Sequence, residues 1–167
     1  MKDRSIGMLF SDSGTGCCAP FDPRPWDRKV ITWKNRLFLH DRVISFLHFP
    51  LNFGQTVVRD MIAIQKAGAL PTYPIMLSDE NSLWGSEVYL EVTKPIPNAR
   101  IVRLAGTYLT LVCEGPFRRM KTWLHDMDTF AVSEHKRIIK LYYYYTTCPS
   151  CSKQYGKQSM VLVAQVS

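Results

Sequence analysis

Cys148 and Cys151 are the residues of this chain whose type and spacing first suggest chemistry. A Cys-x-x-Cys pair can be half of a tetrahedral zinc site, with Cys17, Cys18 or His48 supplying the remaining ligands. It can be a redox dithiol, although such motifs open a helix and Gly156 leaves room here for one turn only. One thiolate can be a nucleophile, activated by Lys153, Lys157 or His48. The pair can also be only a rigid hairpin tip, since Pro149 fixes φ and removes a backbone donor. On sequence grounds these readings stand side by side.

Carboxylates and aromatics form the second group. Glu114 ends an apolar run beside Gly115. There it can line a groove as a general base whose pKa burial raises, or it can cap the following helix through the dipole. Glu87 and Glu91 are four apart on a strand and share a face, which is either an inner wall or solvent. His48 lies in an apolar segment and reads as a hydrogen-bonded core histidine or as a ligand or base. Trp84, Tyr89, Tyr108, Trp123, Tyr142 and Tyr144 offer faces that hold flat or cationic molecules, and each is also ordinary core material. In an enzyme, Glu114 or Glu87 would activate water and Tyr144 would donate a hydrogen bond to the departing oxygen.

These residues need elements to hold them. Residues 1–16 are polar and rich in Gly and Ser, a loose tail. Residues 17–26 carry three prolines in six positions, which excludes helix and central strand. They read as an extended arm laid over the body, anchored by Phe21 and Trp26. Residues 29–34 predict a short strand and 42–51 a buried strand. Helical spacing of Val57, Met61, Ile64 and Ala67 predicts a helix over 55–69. Strands follow at 74–77 and 87–92. The order then recurs: a strand at 104–113, a helix after Gly115-Pro116 with an apolar stripe through Trp123, Met127 and Phe130, and strands at 138–147 and 159–166. Alternation puts Tyr142 and Tyr144 on one face and Tyr143 and Tyr145 on the other. The expected fold is α+β: two strand-helix-strand-strand repeats related by a pseudo-twofold axis with a groove along it. The expected division is a tail and arm over 1–41 and a domain over 42–167.

The totals set limits. The 167 residues, 46% hydrophobic and 21% charged, suffice for one domain with a core. No apolar run approaches the ~20 residues of a membrane span, and the N-terminus lacks a secretory pattern, so a cytoplasmic protein is expected. Five cysteines, an odd count, argue against a closed disulfide framework. The net charge of +7 is spread along the chain without a nucleic-acid-binding signature, so no nucleic-acid partner is expected.

Residues 98–123, with Gly115-Pro116-Phe117 at their centre, resemble the GyrI-like small-molecule-binding superfamily. The hairpin over 74–95, with Asp79, Val92 and Pro95, is similar to that superfamily's first repeat, and the likeness spans roughly 42–166. Cys17, Cys18, Phe21, Asp22, Trp26, residues 50–54 and residues 145–157 are similar to a group of stand-alone bacterial proteins labelled hydrolases. The resemblance implies a doubled strand-helix-strand-strand fold, as in a related haem-binding family. It also implies an aromatic groove with a buried glutamate, and multidrug binding or hydrolysis of strained electrophilic rings. That glutamate is often on the last strand of a repeat. Here residues 160–163 carry no acid, whereas the first repeat keeps Glu87 and Glu91. The expected partner is a small molecule, with a homodimer admitted. The alternatives to hydrolysis are a drug- or haem-binding module and a protein stabilised by a zinc–thiolate site.

Overall fold

The computed structural model describes residues 20–46, 49–50, 52–80, 82, 84–146 and 153–167. The elements run β1 (Lys29–Phe46), β2 (Phe49–Pro50), α1 (Phe53–Lys66), β3 (Met76–Asp79), β4 (Gly85–Glu91), β5 (Ile101–Glu114), a 3₁₀ turn (Phe117–Arg119), α2 (Met120–Ser133), β6 (Ile138–Tyr145) and β7 (Ser159–Val166). Leaving aside the two-residue β2, this is strand-helix-strand-strand twice.

Six strands close on themselves. β1 pairs with β4, β4 with β3, β3 with β6, β6 with β7, β7 with β5, and β5 with β1 again, every pair antiparallel. Closure of this kind leaves the six strands few unpaired edges. The β3–β6 seam is narrow, joined at Leu77↔Tyr144 and Ser78↔Tyr143. The β1–β5 seam is long, running from Lys29↔Thr110 to Leu39↔Ile101 with a register shift between Trp33 and Arg36. Asn35 sits inside that shift at φ 54°, a left-handed conformation that asparagine tolerates better than most residues.

This bulge corrects the sequence reading of β1. Residues 29–34 and 42–51 look like separate strands because Lys34-Asn35-Arg36 is polar. The chain passes through them as one strand, since the bulge re-aims it from β5 alone to pairing with both β5 and β4 at Phe38 and Leu39. The boundary expected between residues 41 and 42 therefore lies inside β1.

Alternation along each strand divides the core. One face of the sheet packs on α2: Leu109, Leu111, Cys113, Met160, Leu162, Ala164 and Val166 meet Trp123, Met127, Phe130 and Ala131. Elsewhere Leu39, Leu90 and Val92 meet Ile64 of α1 together with Ala69 and Ile96. The opposite, inner face gathers Phe38, Leu77, Tyr89, Tyr108, Tyr142, Val161 and Val163. Phe38, Leu77 and Tyr108 are fully buried there. Each such side chain contributes roughly 1.5–3 kcal/mol by leaving water.

The arm completes the inner layer. The Trp26 and Asp27 amides donate to Pro23 O, closing a tight turn. Thr110 Oγ1 then donates to Trp26 O at 2.6 Å, and the Val112 amide to Asp27 Oδ1 at 3.3 Å. Phe21 and Trp26 pack on Tyr144, with ring centroids 6.3 and 5.2 Å away. An arm rich in proline loses little chain entropy when it is held this way.

Candidate functional site

Glu87, Tyr89 and Glu91 occupy alternate positions of β4 and so share its inner face, while Leu90 and Val92 face α1. His40 of β1 stands directly opposite Tyr89, and the two rings lie 4.7 Å apart. Asp79 of β3 stands opposite Glu87. From β6, Lys140 reaches the same place, two residues before Tyr142 on the same face. Four strands thus deliver an acid pair, an imidazole, an ammonium and two phenols to one end of the inner layer.

The contacts are specific. Tyr89 donates its hydroxyl hydrogen to Glu87 Oε2 at 2.8 Å. Lys140 Nζ lies 2.8 Å from Asp79 Oδ2 and donates to the Tyr89 hydroxyl at 3.4 Å. The same ammonium is 5.7 Å from the Tyr89 ring centroid and 5.1 Å from that of Tyr142. Those two rings meet edge to face at 5.5 Å. His40 Nε2 lies 3.3 Å from Glu87 Oε2, near enough to ion-pair when protonated but not aligned as a hydrogen bond. Neither His40 nitrogen has a hydrogen-bond partner among the described residues, although the side chain is only 6% exposed. Buried polar atoms of this kind call for a ligand, a water or an ion.

Electrostatics follow from these partners. The Tyr89 hydroxyl holds the Glu87 carboxyl below its ordinary pKa; partial burial opposes this, and His40 adds to it. Burial and the bond to Glu87 push the Tyr89 phenol up. Burial raises Tyr142, and it raises Tyr108 to about 12. Burial lowers the Lys140 pKa, but the bond to Asp79 and the neighbouring phenols outweigh it, and the ammonium stays charged. Glu87 is therefore anionic and Lys140 cationic at neutral pH, a few ångströms apart across Tyr89.

The residues expected from sequence fall in several places. Tyr89, Tyr108 and Tyr142 share the inner cluster, with Tyr144 half-buried at its margin under the arm. Trp123 is elsewhere: it is buried on the opposite face beneath α2, because its helical stripe must cover Leu109, Leu111 and Cys113. Trp84 is 63% exposed just before β4, outside the inner layer. Glu114 is exposed at the end of β5, in a surface hollow of about 260 Å³ that Asp27, Arg28, Arg119 and Asp126 also line. It forms the last β5–β7 pair, with Ser159, and so stands at the open end of the sheet. Glu91, by contrast, is enclosed: Arg36 Nε meets it at 2.5 Å and the Ile75 amide donates to it at 3.2 Å.

His48, Cys17, Cys18, Cys148 and Cys151 lie outside the described residues, and so do the zinc, dithiol and nucleophile readings built on them. Among the described residues no group of three or more His, Cys, Asp or Glu could hold a metal ion. Cys113 is a free, buried thiol, which burial pushes up to about 12.

His40 and the pairing of Lys140 with Asp79 escaped the sequence reading. The signal was present in alternation: His40 is two residues past Phe38, and Lys140 two before Tyr142. Polar residues 34–36 hide the strand that carries His40, and no local pattern pairs Lys140 with Asp79 on another strand.

A closed antiparallel α+β sheet with two helices on its outside and polar groups inside is consistent with the GyrI-like fold. More specifically, the chain belongs to the bacterial hydrolase family, whose model matches residues 8–166. No curated protein matches it. A hydrolase from Listeria innocua superposes with a TM-score of 0.62 at 16% identity, over 84% of this chain and 92% of that one. The C-terminal domain of EcmrR superposes at 0.54 with 11% identity, over 85% and 98%. The protein SAV2435, bound to tetraphenylphosphonium, superposes at 0.53 with 8% identity, over 84% and 94%. At these identities the likeness is one of fold. No helix among the described residues is long and apolar enough to cross a membrane.

Proposed function

We propose that the chain is a cytoplasmic small-molecule-binding protein that hydrolyses a reactive, partly aromatic electrophile at the inner end of β4. We read its two strand-helix-strand-strand units as related by a pseudo-twofold axis, with the ligand between them and no nucleic acid involved. The observation that carries the reading is the buried imidazole of His40, without a hydrogen-bond partner, 3.3 Å from the ionised Glu87. Glu87 accepts a proton from water as the oxygen attacks the electrophilic carbon. His40, alongside, passes that proton to the departing oxygen as its bond to the carbon breaks. Lys140 donates to the oxygen on which negative charge develops. Tyr89 keeps the carboxylate oriented, and the phenol rings hold the aromatic part of the ligand. Membership of the bacterial hydrolase family and the ligand-bound neighbour support this reading.

The test is hydrolysis of p-nitrophenyl acetate by wild type and by Glu87→Gln. The substitution keeps shape and removes the base, so turnover should fall about a hundredfold or more with substrate binding retained. Equal turnover in the two proteins would remove the carboxylate mechanism. A second reading, ligand binding without turnover, is favoured by the depressed pKa of Glu87, because a weakly basic carboxylate is a poor proton acceptor. Tight binding of an aromatic ligand with no wild-type turnover would establish that reading instead.

A further inference from the structure

We infer that Lys140 sets the ligand class of this site: as an internal cation it fills the aromatic–acid box, so the site takes a neutral molecule with an accepting oxygen and refuses cations. The inference rests on the reading that the inner cluster binds a small molecule.

Two tyrosine rings set edge to face beside a carboxylate make a box that would attract a ligand cation through the ring quadrupoles and the acid. Here Tyr89, Tyr142 and Asp79 form such a box. Its occupant belongs to the chain. The Lys140 ammonium lies 5.7 and 5.1 Å from the two ring centroids and 2.8 Å from Asp79. The Asp79 side chain is only 10% exposed, so the ion pair is desolvated on the acid side. A second cation could enter only against this charge, with Asp79 already paired and Glu87 held by the Tyr89 hydroxyl. The Lys140 side chain is 31% exposed, so the ammonium is open to solvent on one side. An ammonium has three donor hydrogens: Asp79 and Tyr89 take two, and the third, which also meets the Tyr142 hydroxyl, can turn to a carbonyl, ester or phosphoryl oxygen. The His40 ring against Tyr89 adds a donor or acceptor with no protein hydrogen-bond partner among the described residues.

Two probes of nearly one shape separate the outcomes: triphenylphosphine oxide, neutral with a strong acceptor oxygen, and methyltriphenylphosphonium, a cation with a methyl group in its place. Calorimetric titration of wild type should show the oxide bound roughly tenfold more tightly. Lys140→Met vacates the box and leaves Asp79 and Glu87 uncompensated, so the preference should reverse by a similar factor. Lys140→Arg keeps a cation there and should keep the wild-type order, and Lys121→Met, a loss of exposed charge elsewhere, should change nothing. Wild type that binds the phosphonium as well as or better than the oxide would overturn the inference while leaving small-molecule binding intact. An unchanged order in Lys140→Met would do the same. Should Lys140→Met fail to fold, the wild-type comparison and Lys140→Arg still decide. If neither probe bound any of the proteins, the inference would fall together with the reading beneath it.

Discussion

Tyr89→Phe removes one oxygen atom from the centre of the polar cluster. That oxygen donates to Glu87 Oε2 at 2.8 Å and accepts from Lys140 at 3.4 Å. A hydrogen bond to a charged partner contributes about 1.5–3 kcal/mol when water cannot replace it. The Glu87 side chain is 41% exposed, so water replaces part of the loss, and the longer contact to Lys140 adds little. The expected cost is about 1 kcal/mol at neutral pH, which for a chain of this size lowers Tm by about 2–4 °C. The pH dependence distinguishes this from a packing defect. Glu87 is depressed in the folded state, first of all by Tyr89. A depressed carboxyl stabilises the fold above its unfolded pKa of about 4.3, and the contribution is lost as pH falls through the lower folded value. The difference between wild type and Tyr89→Phe should therefore be full at neutral pH and shrink in acid. Melts at several pH values, with NMR titration of the Glu87 carboxyl carbon, measure both. An identical Glu87 titration in the two proteins, or a Tm difference that persists undiminished in acid, would refute the reasoning.

Phe38→Ala should cost about 3–5 kcal/mol in guanidinium unfolding, because the ring is fully buried where β1 pairs with both neighbours; a loss under 1 kcal/mol would mean the inner layer is not packed as described. Cys113, buried and pushed up to about 12, should react with a thiol reagent only as fast as the protein opens, in a variant whose other four cysteines are serine. Labelling at the rate of a free thiol would contradict its place under α2.

Much of the fold is written in local patterns. The apolar stripe Trp123, Met127, Phe130 can form only a helix that covers one face, and it does so over Met120–Ser133. The four tyrosines divide by strict alternation, Tyr142 and Tyr144 inward and Tyr143 and Tyr145 against the α2 layer. The strapping role of Phe21 and Trp26 follows from prolines that forbid regular structure and rings that need cover. The site was less legible. A carboxylate's value depends on which strand its neighbour belongs to, and pairing partners are not local. Glu87 and Glu114 look alike in sequence, each close to an end of a strand. Only closure of the sheet puts His40 opposite Tyr89 and Lys140 against Asp79, while it leaves Glu114 in the last β5–β7 pair, exposed at the end of the sheet. The bulge at Trp33–Arg36 decides this, because it lets one strand serve two partners. The energy that holds it comes from the long-range packing of Phe38, which no window of sequence contains.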